Sequence, residues 1–147
     1  MTISREFITH SAEETIELGR TLAAELRPPV LVFLRGELGA GKTTLAKGLI
    51  SGLGAAREED VTSPSFTLVH VFQNLCPVYH VDLYRVADMH DLETLGLEDV
   101  FAAPAIVLVE WPERLRLRTD WPVVEIRLEH GENDARQIIV GTSAPVE

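Results

Sequence analysis

One stretch restricts the possible folds of this chain more than any other part of its sequence. It reads Gly36-Glu37-Leu38-Gly39-Ala40-Gly41-Lys42-Thr43 and fits the pattern G-x-x-x-x-G-K-[ST] at every fixed position. The apolar run Val30 to Leu34 precedes it and is typical of a strand buried on both faces. A helical segment, Thr43 to Leu53, follows it, with Gly54 as a stop. Strand, glycine loop and helix in this order predict a phosphate-binding loop.

The residues of this loop suit phosphate chemistry. Its glycines let backbone N–H groups approach a phosphate closely, and the new helix adds the positive end of its dipole. We expect Lys42 to lie between the β- and γ-phosphates of a nucleotide and the Thr43 hydroxyl to ligate Mg²⁺. The alternative, an ordinary glycine turn before a helix, explains neither residue.

A second apolar run, Ala105 to Val109, ends in Glu110 and predicts another central strand. In an α/β sheet the carboxyl end of such a strand lies beside the phosphates. We expect Glu110 to hold Mg²⁺, directly or through water, or to polarise the attacking water. A strand that merely ends in an exposed acid is the alternative.

Two further polar segments are candidates for the site. Thr62-Ser63-Pro64-Ser65-Phe66 stands where P-loop proteins sense the γ-phosphate, although it also reads as a simple turn. His80-Val81-Asp82-Leu83-Tyr84-Arg85 places alternate polar side chains on one strand face. Asp82 could join the Mg²⁺ shell and Arg85 could meet a phosphate, but solvated edge residues would give the same pattern.

Composition excludes several classes of function. Thirteen Lys and Arg against 23 Asp and Glu give a net charge of −10, which disfavours non-specific nucleic-acid binding. The 147 residues predict one domain, residues 1–147. With Cys76 alone, no signal peptide and no apolar run that could span a bilayer, we expect a cytoplasmic location. The basic run Arg114 to Arg118 favours a solvated face over a docking patch.

The remaining elements complete an α/β domain. A short extended segment at Arg5 to Ile8 comes first. Ser11 and Glu14 form a capping box for a helix that should stop at Pro28-Pro29, and Asp88 starts a short helix to Leu95. Four segments predict two hairpins: Phe66 to Phe72 with Val78 to Leu83, and Val123 to Leu128 with Gln137 to Val140. The predicted fold is a three-layer α/β P-loop NTPase fold, with a mixed, mostly parallel central sheet, antiparallel additions and helices on both faces.

In this order and at these distances, GELGAGKTT, TSPSF, HVDLYR and EWPE closely resemble the motifs of the TsaE (formerly YjeE) family of bacterial ATPases. The resemblance spans Gly36 to Glu113. It implies a small P-loop ATPase that uses ATP and Mg²⁺ and is needed to make threonylcarbamoyladenosine in tRNAs that read codons beginning with adenine. It also implies two partners, TsaD, which transfers the threonylcarbamoyl group, and TsaB. Hydrolysis would reset their complex between turnovers, and tRNA would be met only through that complex.

The resemblance further implies which residues act. The nucleotide-binding positions of the loop fall on Gly36, Gly39, Ala40, Gly41, Lys42, Thr43 and Thr44. The magnesium ligands fall on Thr43 and Glu110, and the other active-site acid falls on Asp82. Together with Lys42, Asp82 and Glu110 form the implied catalytic set.

Ser11 and Arg136 would flank the nucleotide. Glu37 and Ser65 depart mildly from the family pattern, in which aspartate and threonine are frequent. Ser65 keeps the hydroxyl, so the departure concerns only the fine geometry of the sensing segment.

Two other functions stay open at this stage beside ATP hydrolysis. A small-molecule kinase would share the loop, but it usually needs an arginine-bearing lid, for which the segment between Glu110 and Arg136 offers little room. A non-catalytic adaptor would use the nucleotide only to order a docking surface. For the ATPase, unaided turnover is expected to be slow and stimulated by partners, because no arginine finger is evident beside the loop.

Overall fold

A mixed sheet, with the glycine loop at one end of its central strand, organises the part of the chain that the structure describes. The computed structural model describes residues 3–37, 39–61, 69–73, 76–83, 103–112 and 120–143. The strands within these residues are β1 (Ile3–Thr9), β2 (Val30–Arg35), β3 (Val69–Gln73), β4 (Pro77–Asp82), β5 (Ile106–Glu110), β6 (Val123–His130) and β7 (Arg136–Ser143). The α-helices within the same residues are α1 (Ala12–Ala23) and α2 (Lys42–Gly52), and a 3₁₀ turn covers Glu58–Asp60.

The sheet places the predicted strands in the order β1-β7-β6-β2-β5-β4-β3. Strand β2 is parallel to both neighbours, β6 and β5, and β4 is parallel to β5. The pairs at the two sides, β3 with β4 and β7 with both β1 and β6, are antiparallel. The predicted mixed sheet with antiparallel additions is therefore confirmed, as are both hairpins, although parallel pairings make up three of the six described pairings and not most of them. Since β2, β4 and β5 run parallel, their carboxyl ends meet at one edge.

The central strands are buried on both faces, as their unbroken apolar runs predict. In β2, Val32 and Leu34 pack with Leu108 of β5 in a cluster that also contains the helices. The alternate residues Leu31 and Val107 belong to a second cluster on the opposite face. This alternation decides which side of the sheet each residue at a strand end faces.

Helix α1 begins with the predicted capping box. The Glu14 backbone N–H donates to Ser11 Oγ at 3.1 Å, and the Glu14 carboxylate accepts from the His10 backbone N–H at 2.9 Å. The helix ends at Ala23, so the expectation that it continues to Pro28-Pro29 is wrong. The next residues close tighter turns through i→i−3 hydrogen bonds, and these turns bring Leu26 into the core.

Helices α1 and α2 pack closely because glycines face each other at their contact. A Cβ added to Gly48 would lie 2.1 Å from the Ile16 carbonyl oxygen, and one added to Gly19 would lie 2.7 Å from the Leu45 carbonyl oxygen. No larger residue fits at either position without moving a helix. The contact thus fixes where α2 begins relative to the sheet.

Both described helices lie on the same face of the sheet, because the cluster on the opposite face contains strand and loop residues only among those described. The helix predicted from Asp88 to Leu95 lies outside the described residues. Neither described helix is long and apolar enough to cross a membrane.

Candidate nucleotide-binding site

The glycine loop connects the carboxyl end of β2 to the first residue of α2, as predicted. Gly39 and Gly41 have φ values of 81° and 105°, which side-chain-bearing residues rarely adopt. Gly36 meets a different constraint, since a Cβ there would lie 2.6 Å from the Leu128 carbonyl oxygen of β6. Gly41 is the N-cap of α2 and has no capping side chain. The first-turn N–H groups of α2 therefore point toward the loop, where a phosphate would be bound.

Lys42 is the first residue of α2, and its side chain folds back over the loop. Its Nζ donates to the Gly36 carbonyl oxygen at 2.5 Å and to the Glu37 carbonyl oxygen at 3.3 Å. The same ammonium lies 3.7 Å from the centroid of the Trp111 ring. Lys42 is only 5% exposed. The ammonium group is thus held beside the loop residues Gly36 and Glu37, where it can bind an anionic ligand.

Thr43 and Glu110 meet beside the loop. The Thr43 Oγ1 lies 3.3 Å from Glu110 Oε1 and 3.4 Å from Oε2. Glu110 is the last residue of β5 and is paired in register with Leu34 of β2. The structure therefore brings together the two predicted magnesium ligands, and Glu110 is a buried residue, 3% exposed, rather than the exposed acid of the alternative.

Asp82 lies next to Glu110 on the neighbouring strand. The two residues are Cα partners in the parallel pairing of β4 with β5, so their side chains leave the sheet on the same face. Asp82 is also 3% exposed. Two buried carboxyl groups therefore lie at adjacent strand ends, close to the start of α2.

His80 is a site residue that the sequence did not single out for a role. Its Nε2 lies 2.6 Å from Glu110 Oε2, and its side chain is fully buried. Two signals pointed toward it: it stands two residues before Asp82, on the same strand face, and it interrupts an apolar strand. Trp111, which follows Glu110, also belongs to the site, since its ring contacts Lys42.

Arg136, the first residue of β7, lies beside the loop. Arg136 is paired with Thr9 at the end of β1, two residues before Ser11. A Cβ added to Gly41 would lie 3.9 Å from Arg136 Nε, so this arginine borders the loop. Its Nη1 donates to the carbonyls of Asp134 and Ala135 at 3.1 Å. The arginine that the family resemblance places at the nucleotide therefore lies next to Gly41. The Ser11 hydroxyl serves as the cap of α1.

The donor atoms at this site fit a magnesium ion. Thr43, Asp82 and Glu110 offer only oxygen donors, which a hard cation prefers. Within the described ranges no three His, Cys, Asp or Glu side chains cluster closely enough to hold a metal by themselves. A Mg²⁺ here would thus take its other ligands from phosphate oxygens and water, as nucleotide-bound magnesium does.

A cavity of about 670 Å³ lies against the start of the loop, and Gly36, Glu37, Trp111 and Arg127 contribute to its wall. This volume is in the range of small-molecule sites.

Three predicted features lie outside the described residues: the segment Thr62 to Phe66, the pair Tyr84 and Arg85, and the basic run Arg114 to Arg118.

Comparison with known proteins gives a consistent result. A family model described as "Threonylcarbamoyl adenosine biosynthesis protein TsaE" matches residues 9–138. The chain is similar to the tRNA threonylcarbamoyladenosine biosynthesis protein TsaE of Bacillus subtilis, at 36% identity over 131 residues, 88% of this chain and 80% of that protein. The protein of the same name from Streptomyces coelicolor is 46% identical over 117 residues, 71% of this chain and 77% of that protein.

A solved structure agrees with these relatives. The crystal structure of Bacillus subtilis YdiB superposes with a TM-score of 0.71 at 30% sequence identity, covering 97% of this chain and 87% of that chain. The α/β fold predicted from the sequence is confirmed by this match. Because the family model matches residues 9–138 and the Bacillus subtilis relative is 36% identical over 88% of this chain, the protein belongs to the TsaE family of threonylcarbamoyl adenosine biosynthesis proteins.

Proposed function

We propose that this chain is a Mg²⁺-dependent ATPase of the bacterial machinery that makes N6-threonylcarbamoyladenosine in tRNAs reading codons that begin with adenine. The observation that carries the proposal is the contact of Thr43 with Glu110 beside Lys42, where β2 and β5 end. An ammonium, a hydroxyl and a carboxylate at a glycine-rich helix start are the groups that phosphoryl transfer from a nucleotide uses. The names of the family and of its relatives support the pathway.

The loop would bind the triphosphate through its backbone. The N–H groups around Gly39 and Gly41 would donate to phosphate oxygens, helped by the positive end of α2. Lys42 would exchange the carbonyls that it now contacts for phosphate oxygens and would balance the charge that spreads over the γ-phosphoryl group. Once the triphosphate is bound, these groups would surround it, so little further reorganisation would be needed when the bond breaks.

The two buried acids, Asp82 and Glu110, would act on the metal ion and on the attacking water. Thr43 and Glu110 would hold Mg²⁺, which when bound neutralises charge on the β- and γ-phosphates. Glu110 or Asp82 would orient the attacking water in line with the bond that breaks. Their positions at adjacent strand ends put both carboxyl groups on the side of the sheet where α2 begins.

The partners belong to the same proposal. The chain would act with TsaD and TsaB, its hydrolysis would reset their complex between turnovers, and these partners would raise a low intrinsic rate. Contact with tRNA would be indirect, since a net charge of −10 repels a phosphate polymer.

The test measures phosphate release by wild type and Lys42→Ala, each alone and with TsaB and TsaD. Lys42→Ala should lower release by roughly 100-fold or more, because an electrostatic contact to the transition state is lost. The matched control is Lys47→Ala, which removes the half-buried lysine five residues further along α2. Unchanged release in Lys42→Ala contradicts the proposal. Tight Mg²⁺-dependent binding without hydrolysis in the full complex indicates the adaptor, and a phosphorylated acceptor indicates the kinase.

A further inference from the structure

We infer that His80 is a positioning residue. It holds the Glu110 carboxylate against Thr43 and so orients these two expected magnesium ligands. The inference deepens the proposed ATPase function and rests on it. It begins from one contact, the 2.6 Å separation of His80 Nε2 and Glu110 Oε2.

The contact has a defined direction. A carboxylate only accepts hydrogen bonds, so the hydrogen lies on Nε2 and His80 donates to Glu110. His80 lies in the middle of β4 and is paired in register with Leu108 of β5. Leu108 precedes Glu110 by two residues on β5. Its ring therefore reaches along the sheet toward the end of β5. The strand pairing, and not a loop, sets the position of the donor.

The contact holds the Glu110 carboxylate through Oε2, while the Thr43 hydroxyl approaches the same carboxylate. A free glutamate side chain has three rotatable bonds and loses free energy when it is held in one rotamer. Here Oε2 accepts from His80, while both oxygens stay within 3.4 Å of the Thr43 hydroxyl. The carboxylate is thus oriented before any ligand arrives. Carboxylates that bind metals are commonly held in this way by a hydrogen-bonding neighbour.

Stability alone does not account for this pair. His80 is fully buried and the Glu110 side chain is 4% exposed, so both polar groups have left water. Replacing such a buried pair by apolar residues of similar size is often neutral or stabilising. The core around it is apolar, with Leu108 and Val78 in the same cluster, so an apolar pair could have occupied the space. A role in orienting Glu110 explains why polar groups are found here.

The test compares three variants with the wild type. His80→Leu removes the donor and keeps much of the volume, whereas His80→Gln keeps an N–H near the position of Nε2. Val78→Ala is the matched control, since Val78 is a buried residue on the same strand and the same face, two residues before His80. Thermal unfolding of each variant reports how much of any effect comes from lost stability.

The first readout is the binding of Mn²⁺, a spectroscopic substitute for Mg²⁺, measured by electron paramagnetic resonance with ADP present. His80→Leu should raise the Mn²⁺ dissociation constant by roughly 10- to 100-fold, the usual effect of losing a group that orients a metal ligand. Its affinity for ADP without metal should stay unchanged. His80→Gln should restore most of the Mn²⁺ affinity, and Val78→Ala should keep it. Equal Mn²⁺ affinity in His80→Leu and wild type overturns the inference.

The second readout separates this inference from the proposed function. Crystal structures of wild type and His80→Leu without nucleotide should show the Glu110 carboxylate against Thr43 in the wild type and turned away in the variant. A carboxylate that keeps its place in His80→Leu overturns the positioning role, whether or not the chain hydrolyses ATP. A wild type that binds neither ADP nor Mn²⁺ contradicts the proposed function, and the two crystal structures still decide the role of His80.

Discussion

The ammonium group of Lys42 lies 3.7 Å from the centroid of the Trp111 ring. Trp111 directly follows the last residue of β5 and has a φ of 63°, a left-handed conformation that is rare for a tryptophan. Its backbone turns away from the strand at this point, and its ring covers the lysine. The residue that follows Glu110 is therefore in direct contact with Lys42, which would bind the phosphates.

This contact predicts a fluorescence signal for nucleotide binding. The chain has two tryptophans, so Trp121→Phe leaves Trp111 as the only indole. Adding Mg²⁺ and ADP should draw the Lys42 ammonium toward the phosphates, and we expect Trp111 emission to increase because an ammonium over an indole face quenches it. Lys42→Ala in the same background should abolish the response. Constant emission while calorimetry shows saturation would contradict the movement of Lys42.

The two buried acids should have separable effects on hydrolysis. Glu110→Gln and Asp82→Asn keep the side-chain size and remove the charge, and each should lower kcat by about 100-fold or more if its carboxylate orients water or metal. Only Glu110→Gln should also raise the Mg²⁺ concentration needed for half-maximal activity, because Glu110 contacts Thr43. Steady-state rates over a Mg²⁺ titration measure both effects. Equal Mg²⁺ requirements in the two variants would show that the metal ligands are assigned wrongly.

Gly48 should be intolerant of even a methyl group. Gly48→Ala places a Cβ 2.1 Å from the Ile16 carbonyl oxygen, so α1 and α2 must move apart. We expect the free energy of unfolding to fall by about 1–3 kcal/mol, the usual cost of overpacking, although alanine favours helices over glycine. Urea denaturation measures the change. Lys47→Ala, at the neighbouring position of α2, is the control, and a Gly48→Ala variant as stable as this control would contradict the close packing.

Much of this site could be predicted because its signals are local. The spacing of Gly36, Gly41 and Lys42 identifies the loop without knowledge of the rest of the chain, since one strand, one turn and one helix start contain it. The apolar run before Glu110 likewise predicts a central strand that ends at that residue, and β5 ends there. Short-range periodicity and turn chemistry were sufficient for these elements.

The contacts between strands could not be predicted in the same way. The pairing of Asp82 with Glu110 depends on β4 lying next to β5 in one register, and a shift by one residue would move every β4 side chain to the other face. The hydrogen bond from His80 to Glu110 and the return of Arg136 to Gly41 depend on the same strand order. Nothing in the local pattern around any of these residues specifies its distant partner.

Arg136 should contribute to nucleotide affinity through its position beside Gly41. Its Nη1 is bound by carbonyls of its own hairpin, which orients the guanidinium, and its Nε faces the start of α2. A charge-assisted hydrogen bond to a nucleotide is worth about 1.5–3 kcal/mol, so Arg136→Ala should weaken ADP binding by roughly 10- to 100-fold. The matched control is Arg5→Ala, which removes an exposed arginine from β1, a strand paired with β7. Calorimetry with ADP and Mg²⁺ compares the two variants. If Arg136→Ala binds ADP as tightly as Arg5→Ala, the start of β7 does not border the nucleotide, and the ligand must extend from the loop toward the cavity beside Trp111 instead.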